Sequence, residues 1–226
     1  VVPASARAIC LASDVVLENF RPGVMQRLGL GHATLVRDKP ALVYCSISAF
    51  GQSGPRSGEG GFDVTVQAMS GIMSVTGEAD GPPVRVGVSL IDHGTGVWAA
   101  LAIVAALHEG EGRELDLSLY ETGVSLVPYH VMAYLATGET PRRHGTAFPL
   151  IAPYQAFAAR DGELMVATPN DRLFASLLRA LDLPDDPRFA TPGGRVANSD
   201  ARLRMVGDVL RERTSAEWLA ALEAED

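Results

Sequence analysis

A single carboxylate, Asp92, stands at the mouth of an apolar segment in the stretch SLIDHGTGVWAALAIVAALHEG, residues 89–110. Two glycines, Gly94 and Gly96, follow it and are expected to leave space beside it for a ligand. A desolvated, ionised carboxylate is a nucleophile toward activated acyl groups. The same residue also suits a helix N-cap, where aspartate accepts a hydrogen bond from a free backbone N–H. Both interpretations place Asp92 where a helix begins.

The elements around Asp92 keep both interpretations open. Residues 84–91 are mostly apolar and predict a strand, whereas residues 97–107 predict a buried helix. Between a strand end and a helix N-terminus, a carboxylate meets the positive end of the helix dipole and is expected to stay ionised. Ligands of α/β proteins bind at the carboxyl ends of such strands. The position therefore suits a catalytic group as well as a cap.

No other motif in the chain predicts a catalytic or metal site. Gly29-Leu30-Gly31 lacks the third glycine of a dinucleotide fingerprint and follows a predicted helix rather than a strand. The sequence has no GxSxG, P-loop or HExxH pattern. The five histidines are scattered, and the two cysteines have no metal-type spacing. We therefore predict no metal and no permanently bound cofactor.

The composition is that of a globular protein in a reducing compartment. The chain has 226 residues, 47% of them apolar and 20% charged, with a net charge of −8. This acidic balance argues against nucleic acid or an anionic membrane as the main partner, since both need a basic face. Residues 97–107 are fewer than the roughly 20 residues that cross a bilayer. With two cysteines and no signal-peptide pattern, we expect a cytoplasmic protein.

The first part of the chain predicts an α/β unit. A short strand ends near residue 17, a helix can open at Pro22, and residues 41–47 form a buried strand. Strand, helix and strand at this spacing predict parallel strands. A glycine-rich loop follows, and a functional loop over a ligand and a plain surface connection both fit it. Further elements are expected as a helix over 62–75, a strand over 114–119 and a helix over 120–136.

A change in amino-acid composition divides the chain into domains. We predict a large domain over 1–137, a linker rich in Gly, Pro and polar residues over 138–150, and a small α+β domain over 151–226. The small domain is expected to contain two strands around the turn Arg160-Asp161-Gly162. Helices are predicted near 171–181 and 200–213, with Ser215 resembling the cap of a last one.

Several motifs together resemble the class III coenzyme A transferases, the CaiB/BaiF family, along nearly the whole chain. They are DVVLENFRPGVMQRLGLG (14–31), SISAFGQSGP (46–55), GGFD (60–63), SLIDHGTG (89–96), DLSLYET (116–122), PYQAF (153–157) and DGELMVAT (161–168). The family includes formyl-CoA and carnitine-CoA transferases and the related α-methylacyl-CoA racemases. The resemblance implies a Rossmann-like large domain, incomplete in these residues, and a smaller α+β domain.

The resemblance also implies the roles of individual residues. Asp92 falls on the catalytic aspartate, which attacks an acyl-CoA thioester and passes through an aspartyl anhydride to an aspartyl-CoA, from which an acceptor acid takes the CoA. The residues implied in CoA binding are Asn19, Phe20, Arg21 and Arg27, with Gly60, Gly61 and Phe62 closing over the pantetheine arm. Acyl-CoA and a carboxylic acid are then the substrates.

Two departures from the family qualify this interpretation. The family's racemases carry a histidine that pairs with the catalytic aspartate, and Phe62 stands at that position here. We therefore prefer a transferase, with an acyl-CoA racemase and a non-catalytic CoA-binding fragment as alternatives. Family members are also longer, which implies a partial chain. They form interlocked homodimers, and we expect one here.

Overall fold

The computed structural model describes residues 4–225, which form two compact units. The first unit extends to residue 76 and includes residues 83–142, and the second comprises residues 77–82 and residues 143 onwards. The change from one unit to the other at residue 143 falls inside the segment 138–150 that the sequence predicts as a linker. Val1 and Asp226, the ends of the predicted domains, lie outside the described residues.

A parallel three-stranded sheet forms the centre of the first unit. Its strands are β1 (Val15–Glu18), β2 (Val43–Ser48) and β3 (Arg113–Ser118), hydrogen-bonded in the order β1-β2-β3. Both pairs are parallel, with Ser48 opposite Ser118 at the carboxyl edge. The predicted strands and their parallel arrangement are confirmed. This edge of the sheet is where an α/β fold collects ligand-binding side chains.

Eight helices of the described residues accompany the sheet, and all but α1 and α6 are shorter than their sequence pattern predicts. They are α1 (Ala4–Ala12), α2 (Val24–Arg27), α3 (His32–Leu35), α4 (Asp63–Met69), α5 (Ile72–Val75), α6 (Leu90–Glu109), α7 (Leu119–Ser125) and α8 (Pro128–Thr137). The helix expected over 62–75 is broken at Gly71, whose φ of +90° leaves the helical region. The helix expected over 120–136 is interrupted before Pro128, because proline has no N–H to bond the preceding turn.

The strand predicted over residues 84–91 is wrong. The backbone there is bonded to a side chain instead of a neighbouring strand: Gln67 Oε1 accepts from the N–H of Val86 at 2.8 Å, and Gln67 Nε2 donates to the carbonyl of Val88 at 3.3 Å. Helix α6 then begins at Leu90. Asp92 therefore lies inside the first turn of a helix and not at a strand end.

The expectation that residues 97–107 form a short buried helix is also wrong. Helix α6 has 20 residues. By length and composition alone, it is long and apolar enough to cross a membrane. Val97, Leu101 and Val104 are among its exposed apolar side chains. The buried residues of α6 form one stripe at helical spacing, comprising Ile91, Thr95, Ala99 and Ala106. Within the described part of the chain, this stripe is the fully buried side of α6.

Apolar clusters cover both faces of the sheet. One cluster contains Val16, Leu35, Leu42 and Tyr44, and the other contains Val66, Ile72, Ile91, Leu119 and Val127. Strand β2 is buried along nearly its whole length, as expected for the middle strand of a parallel sheet with cover on both faces. The strand ends at Ser48, beside which the candidate site forms.

The second unit is an α+β arrangement around one antiparallel hairpin. Its strands are β4 (Tyr154–Ala158) and β5 (Glu163–Ala167). Its helices are α9 (Asp171–Ala180), a one-turn 3-10 helix (Pro187–Phe189), α10 (Pro192–Ala197), α11 (Ser199–Leu210) and α12 (Ser215–Glu223). The hairpin and the predicted helices are confirmed. The cap of α12 is Thr214 in a capping box with Glu217, one residue before the predicted Ser215.

Candidate active site

A cavity of about 650 Å³ opens at the carboxyl edge of the sheet in the first unit. Residues from β2, from the loop after β1, from the loop before α4 and from the first turns of α6 line it. The lining comprises Asn19, Phe20, Arg21, Pro22, Ile47, Ser48, Ala49, Glu59, Gly60, Gly61, Phe62, Asp92, Thr95, Gly96 and Leu119. Segments separated by more than 70 residues of sequence therefore meet at one site.

The structure brings nearly all the residues predicted for the site to this cavity. Asp92 and the two segments 19–21 and 60–62 line it together. Arg27 is the exception: it does not line the cavity, and its Nη1 lies 3.2 Å from the point where a Cβ on Gly23 would stand. Arg27 thus lies over its own helical turn in this structure, and its role in CoA binding stays a prediction.

Hydrogen bonds hold the loop after β1 against the end of β2. Asn19 Nδ2 donates to the carbonyl of Ile47 at 2.7 Å, and the N–H of Phe20 donates to Glu18 Oε2 at 2.8 Å. The Phe20 ring that follows is exposed and lines the cavity. Arg21 follows directly and adds a positive charge to the same wall.

Glycines let the loop before α4 approach this wall closely. A Cβ on Gly60 would lie 2.9 Å from Nη2 of Arg21, and a Cβ on Gly61 would lie 3.0 Å from the Cβ of Ala49. Both distances are shorter than ordinary van der Waals contacts. The two glycines therefore permit a close approach that residues with larger side chains would push apart.

An ion pair stiffens the glycine-rich loop beside the cavity. Arg56 Nη2 donates to Glu59 Oε2 at 2.6 Å, and the Arg56 guanidinium lies 4.3 Å from the centroid of the Phe50 ring. The hydrogen bond with Arg56 lowers the pKa of Glu59, so this cavity-lining carboxylate is ionised and already paired. Arg21 is then left as the cation of the cavity lining for an anionic ligand.

Asp92 is exposed on the cavity, and its carboxylate accepts no hydrogen bond from another residue within 4–225. Desolvation by the surrounding protein raises its pKa above the ordinary value, and the charge of Asp63 raises it further, while His93 lowers it. The helix dipole favours the ionised form, whereas burial and the charge of Asp63 act on the pKa in the opposite direction. Such a carboxylate is more basic than a free aspartate.

The capping interpretation of Asp92 is wrong. The N-cap of α6 is Ser89, which makes no side-chain capping bond. The backbone N–H groups of Ile91 and Asp92 donate instead to Asp63 Oδ2, at 2.8 and 3.2 Å. Asp63 thus caps α6 from another helix. The Asp92 side chain is left without a structural bond, which favours the chemical interpretation.

The two glycines after Asp92 differ in their surroundings. A Cβ on Gly96 would meet no atom within 4 Å, and Gly96 lines the cavity as predicted. A Cβ on Gly94 would lie 3.1 Å from Cγ2 of Thr122 in α7. Gly94 therefore serves the packing of α6 on α7 and does not open the cavity.

Ser48 is a site residue that the sequence analysis missed. It is 6% exposed, lines the cavity, and its hydroxyl has no hydrogen-bond partner among residues 4–225. A buried hydroxyl is costly to leave without a partner, so on this cavity wall it is available to a ligand or to water. Its position at the carboxyl end of a buried strand is a signal that the sequence does contain, in the stretch SISAFG.

Comparison with known proteins identifies one protein family along the whole described region. The sequence model of CoA-transferase family III matches residues 4–226. The acetyl-CoA:oxalate CoA-transferase of Acetobacter aceti is 40% identical over 215 residues, which cover 92% of this chain and 55% of that enzyme. The succinyl-CoA:glutarate CoA-transferase of Mus musculus is 37% identical over 223 residues, covering 96% of this chain and 50% of that enzyme.

Solved structures share the fold. A CaiB/BaiF family protein from Brucella suis is 36% identical with a TM-score of 0.80, covering 97% of this chain and 60% of that one. The mixed α/β fold with its parallel sheet is thus the fold of solved members of that family. The chain spans about half the length of the curated relatives that it matches.

Proposed function

Because the chain belongs to CoA-transferase family III, we propose that the whole protein moves CoA from an acyl-CoA to a carboxylic acid, with Asp92 as the nucleophile. One observation carries the assignment of Asp92. Its carboxylate stands on the cavity wall with no structural bond, while Asp63 takes the capping role that would otherwise explain it. Its raised pKa adds basicity, which favours nucleophilic attack.

In the proposed reaction, covalent intermediates on Asp92 keep the transferred groups activated, so that no thioester is lost to hydrolysis. A carboxylate oxygen attacks the thioester carbonyl, the C–S bond breaks, and a mixed anhydride and CoA thiolate form. The thiolate attacks the aspartyl carbonyl, which releases the donor acid and leaves an aspartyl-CoA thioester. The acceptor carboxylate attacks that thioester, giving a second anhydride and thiolate. Attack of the thiolate on the acceptor's acyl carbon forms the new acyl-CoA and restores Asp92.

We propose that the two loops facing each other across the cavity hold the CoA. Arg21 supplies a cation for a CoA phosphate, and Gly60, Gly61 and Phe62 lie along the pantetheine arm. Phe62 is 80% exposed, so its ring is available to cover an apolar chain. The Ser48 hydroxyl is a donor for the thioester oxygen or the pantetheine amides.

The relatives indicate which acids to test as acceptors. The Acetobacter aceti enzyme is named for oxalate and the Mus musculus enzyme for glutarate. Incubation of the whole protein with acetyl-CoA or succinyl-CoA and a panel of small dicarboxylic acids is expected to yield a new acyl-CoA, detected by mass. The isosteric variant Asp92→Asn is expected to yield none. Transfer by that variant at the parental rate would contradict the proposal.

The two alternatives have distinct outcomes in the same assay. A racemase needs a second proton-transferring group opposite Asp92, and Phe62 cannot provide one. Deuterium uptake at C2 of a 2-methylacyl-CoA in heavy water, without transfer, would favour the racemase. CoA binding with neither reaction would favour a non-catalytic CoA-binding protein.

The larger assembly is also a proposal. The parallel sheet supports a Rossmann-like large domain that other parts of the protein complete, and the exposed apolar side chains of α6 and α8 support a partner for that surface. We propose an interlocked homodimer, as the family resemblance implies. We also propose a cytoplasmic location, which the free Cys10 and Cys45 support.

A further inference from the structure

Two side chains of α4 bind the backbone of the segment that leads into α6. Asp63 and Gln67 lie one helical turn apart, and both are buried, at 7% and 0% exposure. Gln67 Nε2 donates to Asp63 Oδ1 at 2.6 Å, so the two side chains form one hydrogen-bonded unit. Residues four apart on a helix face the same side, which allows this pairing.

Asp63 and Gln67 together fix the backbone over residues 86–92. Gln67 binds the N–H of Val86 and the carbonyl of Val88. Asp63 Oδ2 accepts from the N–H groups of Ile91 and Asp92. The first N–H groups of a helix have no partner within it, and here a buried carboxylate supplies that partner. The backbone N–H of the nucleophile is therefore itself one of the bound groups.

We propose that Asp63 is a positioning residue for the transfer reaction, which holds the Asp92 backbone through Oδ2 while Gln67 holds Asp63. The inference rests on Asp92 being the nucleophile. Catalysis that depends on geometry is lost by small displacements of the attacking group. A helix start bonded to a neighbouring helix is held against rotation and fraying, which keeps the carboxylate of Asp92 on the cavity wall.

The charge of Asp63 also affects the reactivity of Asp92. It raises the pKa of Asp92, together with desolvation, while His93 lowers it. The other charged groups on the cavity are Arg21 and Glu59, of which Glu59 is paired with Arg56. Removing the negative charge at position 63 therefore lowers the pKa of Asp92. The acid limb of the rate profile, where the nucleophile becomes protonated, moves to lower pH.

The hydrogen-bond pattern predicts that Asp63→Asn damages the unit and that a second change restores it. With its oxygen toward the α6 N–H groups, the new amide would direct its NH₂ at Gln67 Nε2, so that two donors face each other. Gln67 cannot turn over, because its Oε1 accepts from Val86. In Asp63→Asn/Gln67→Glu the new carboxylate accepts both from the new amide and from Val86. Each hydrogen-bond donor of the unit then faces an acceptor again. The Val88 carbonyl alone loses the donor that Gln67 Nε2 supplied.

The test compares these variants in the whole protein by transfer kinetics across pH. Asp63→Asn is expected to lower kcat about 10- to 100-fold with KM for the acyl-CoA near the parental value, and to move the acid limb to lower pH. The double variant is expected to recover part of kcat and to move the limb back toward the parental position. Hydroxylamine is still expected to trap an adduct on Asp92 in both.

Asp161→Asn provides a matched control in the second unit. Asp161 Oδ1 accepts from the N–H and the hydroxyl of Ser215 at the start of α12, so it is also a capping carboxylate from another element. This variant is expected to lower stability while leaving kcat and the acid limb unchanged.

Two results would overturn the inference for Asp63. The first is that Asp63→Asn keeps the parental kcat and the parental acid limb. The second is that kcat falls while the acid limb does not move and the double variant recovers no activity. That result would mean that Asp63 only supports the fold. Neither result touches the role of Asp92, which fails separately if Asp92→Asn still transfers CoA.

Discussion

At the scale of residues, the start of α6 carries two carboxylates in contrasting surroundings. Asp63 is buried and accepts three hydrogen bonds, from Gln67 Nε2 and from the N–H groups of Ile91 and Asp92. Asp92 is exposed on the cavity and accepts none within residues 4–225. The carboxylate that binds the backbone, Asp63, and the proposed nucleophile, Asp92, are thus distinguished by their hydrogen bonds. The opposed surroundings support one nucleophile and one positioning group.

The two arginines predicted to bind CoA are expected to differ in their effect. Arg21→Ala removes the cation of the cavity lining and is expected to weaken CoA binding by about 1.5–3 kcal/mol, the usual value of a hydrogen bond to a charged group. Arg27→Ala, outside the lining, is expected to have a smaller effect. Isothermal titration of CoA into the whole protein measures both. A larger loss in Arg27→Ala than in Arg21→Ala would contradict this arrangement of the site.

At the scale of elements, the site depends on loops that approach each other at the sheet edge. The loop after β1 is bonded to β2 through Asn19, and the glycine-rich loop reaches the same wall through Gly60 and Gly61. Strands bring these loops to one place, and the glycines set how close they come. The cavity is therefore formed by several loops that meet at the sheet edge and not by one sequence motif.

Gly60→Ala is expected to weaken CoA binding with little effect on stability. The added methyl group would lie 2.9 Å from the Arg21 guanidinium, the far end of a flexible side chain that can move aside. Displacing that guanidinium removes the cation from its place. Gly58→Ala is the matched control, because a Cβ there meets no atom within 4 Å. Titration and thermal melting of both variants check the prediction, and equal CoA affinities would contradict it.

The sequence predicts the sheet well and the approach to Asp92 poorly, for physical reasons. The buried run of β2 and the alternation in β3 are local signals, and both strands form as predicted. The apolar residues 84–91 look like a strand, but their backbone is bonded to Gln67, a contact between distant positions that no local pattern encodes. The capping role of Asp63 escaped prediction for the same reason. The site residues on loops were predicted from motifs. The position of Ser48 at a strand end can be read from the sequence, but the burial of its hydroxyl cannot.

At the scale of the whole molecule, the exposed apolar surface of α6 is the main unexplained feature of the described residues. Val97, Leu101 and Val104 are exposed, and Trp98 is half-exposed beside them. Soluble proteins seldom leave so many large apolar side chains of one helix in water. Since the chain spans about half the length of its curated relatives, other parts of the protein or a second copy are the expected cover.

Trp98 is expected to report on this cover in the whole protein. The fluorescence of Trp98 is obtained as the difference between the parent and Trp98→Phe, and acrylamide should quench it poorly. Light scattering at micromolar protein concentration should give the mass of a dimer. Trp218, buried in the second unit, gives the reference for a protected indole. Ready quenching of Trp98, a monomer mass, or recovery of the protein with membranes would contradict the proposed assembly.

The central claim is that Asp92 forms a covalent bond to the acyl group or to CoA during transfer. The most direct measurement is peptide mass spectrometry of the whole protein after incubation with an acyl-CoA and hydroxylamine, with Asp92→Asn treated in parallel. We predict a hydroxamate on the Asp92 carboxyl group of the parent that depends on the acyl-CoA, and none at this position in the variant. CoA transfer by the parent with Asp92 unmodified, or with the hydroxamate on another residue, would contradict the claim.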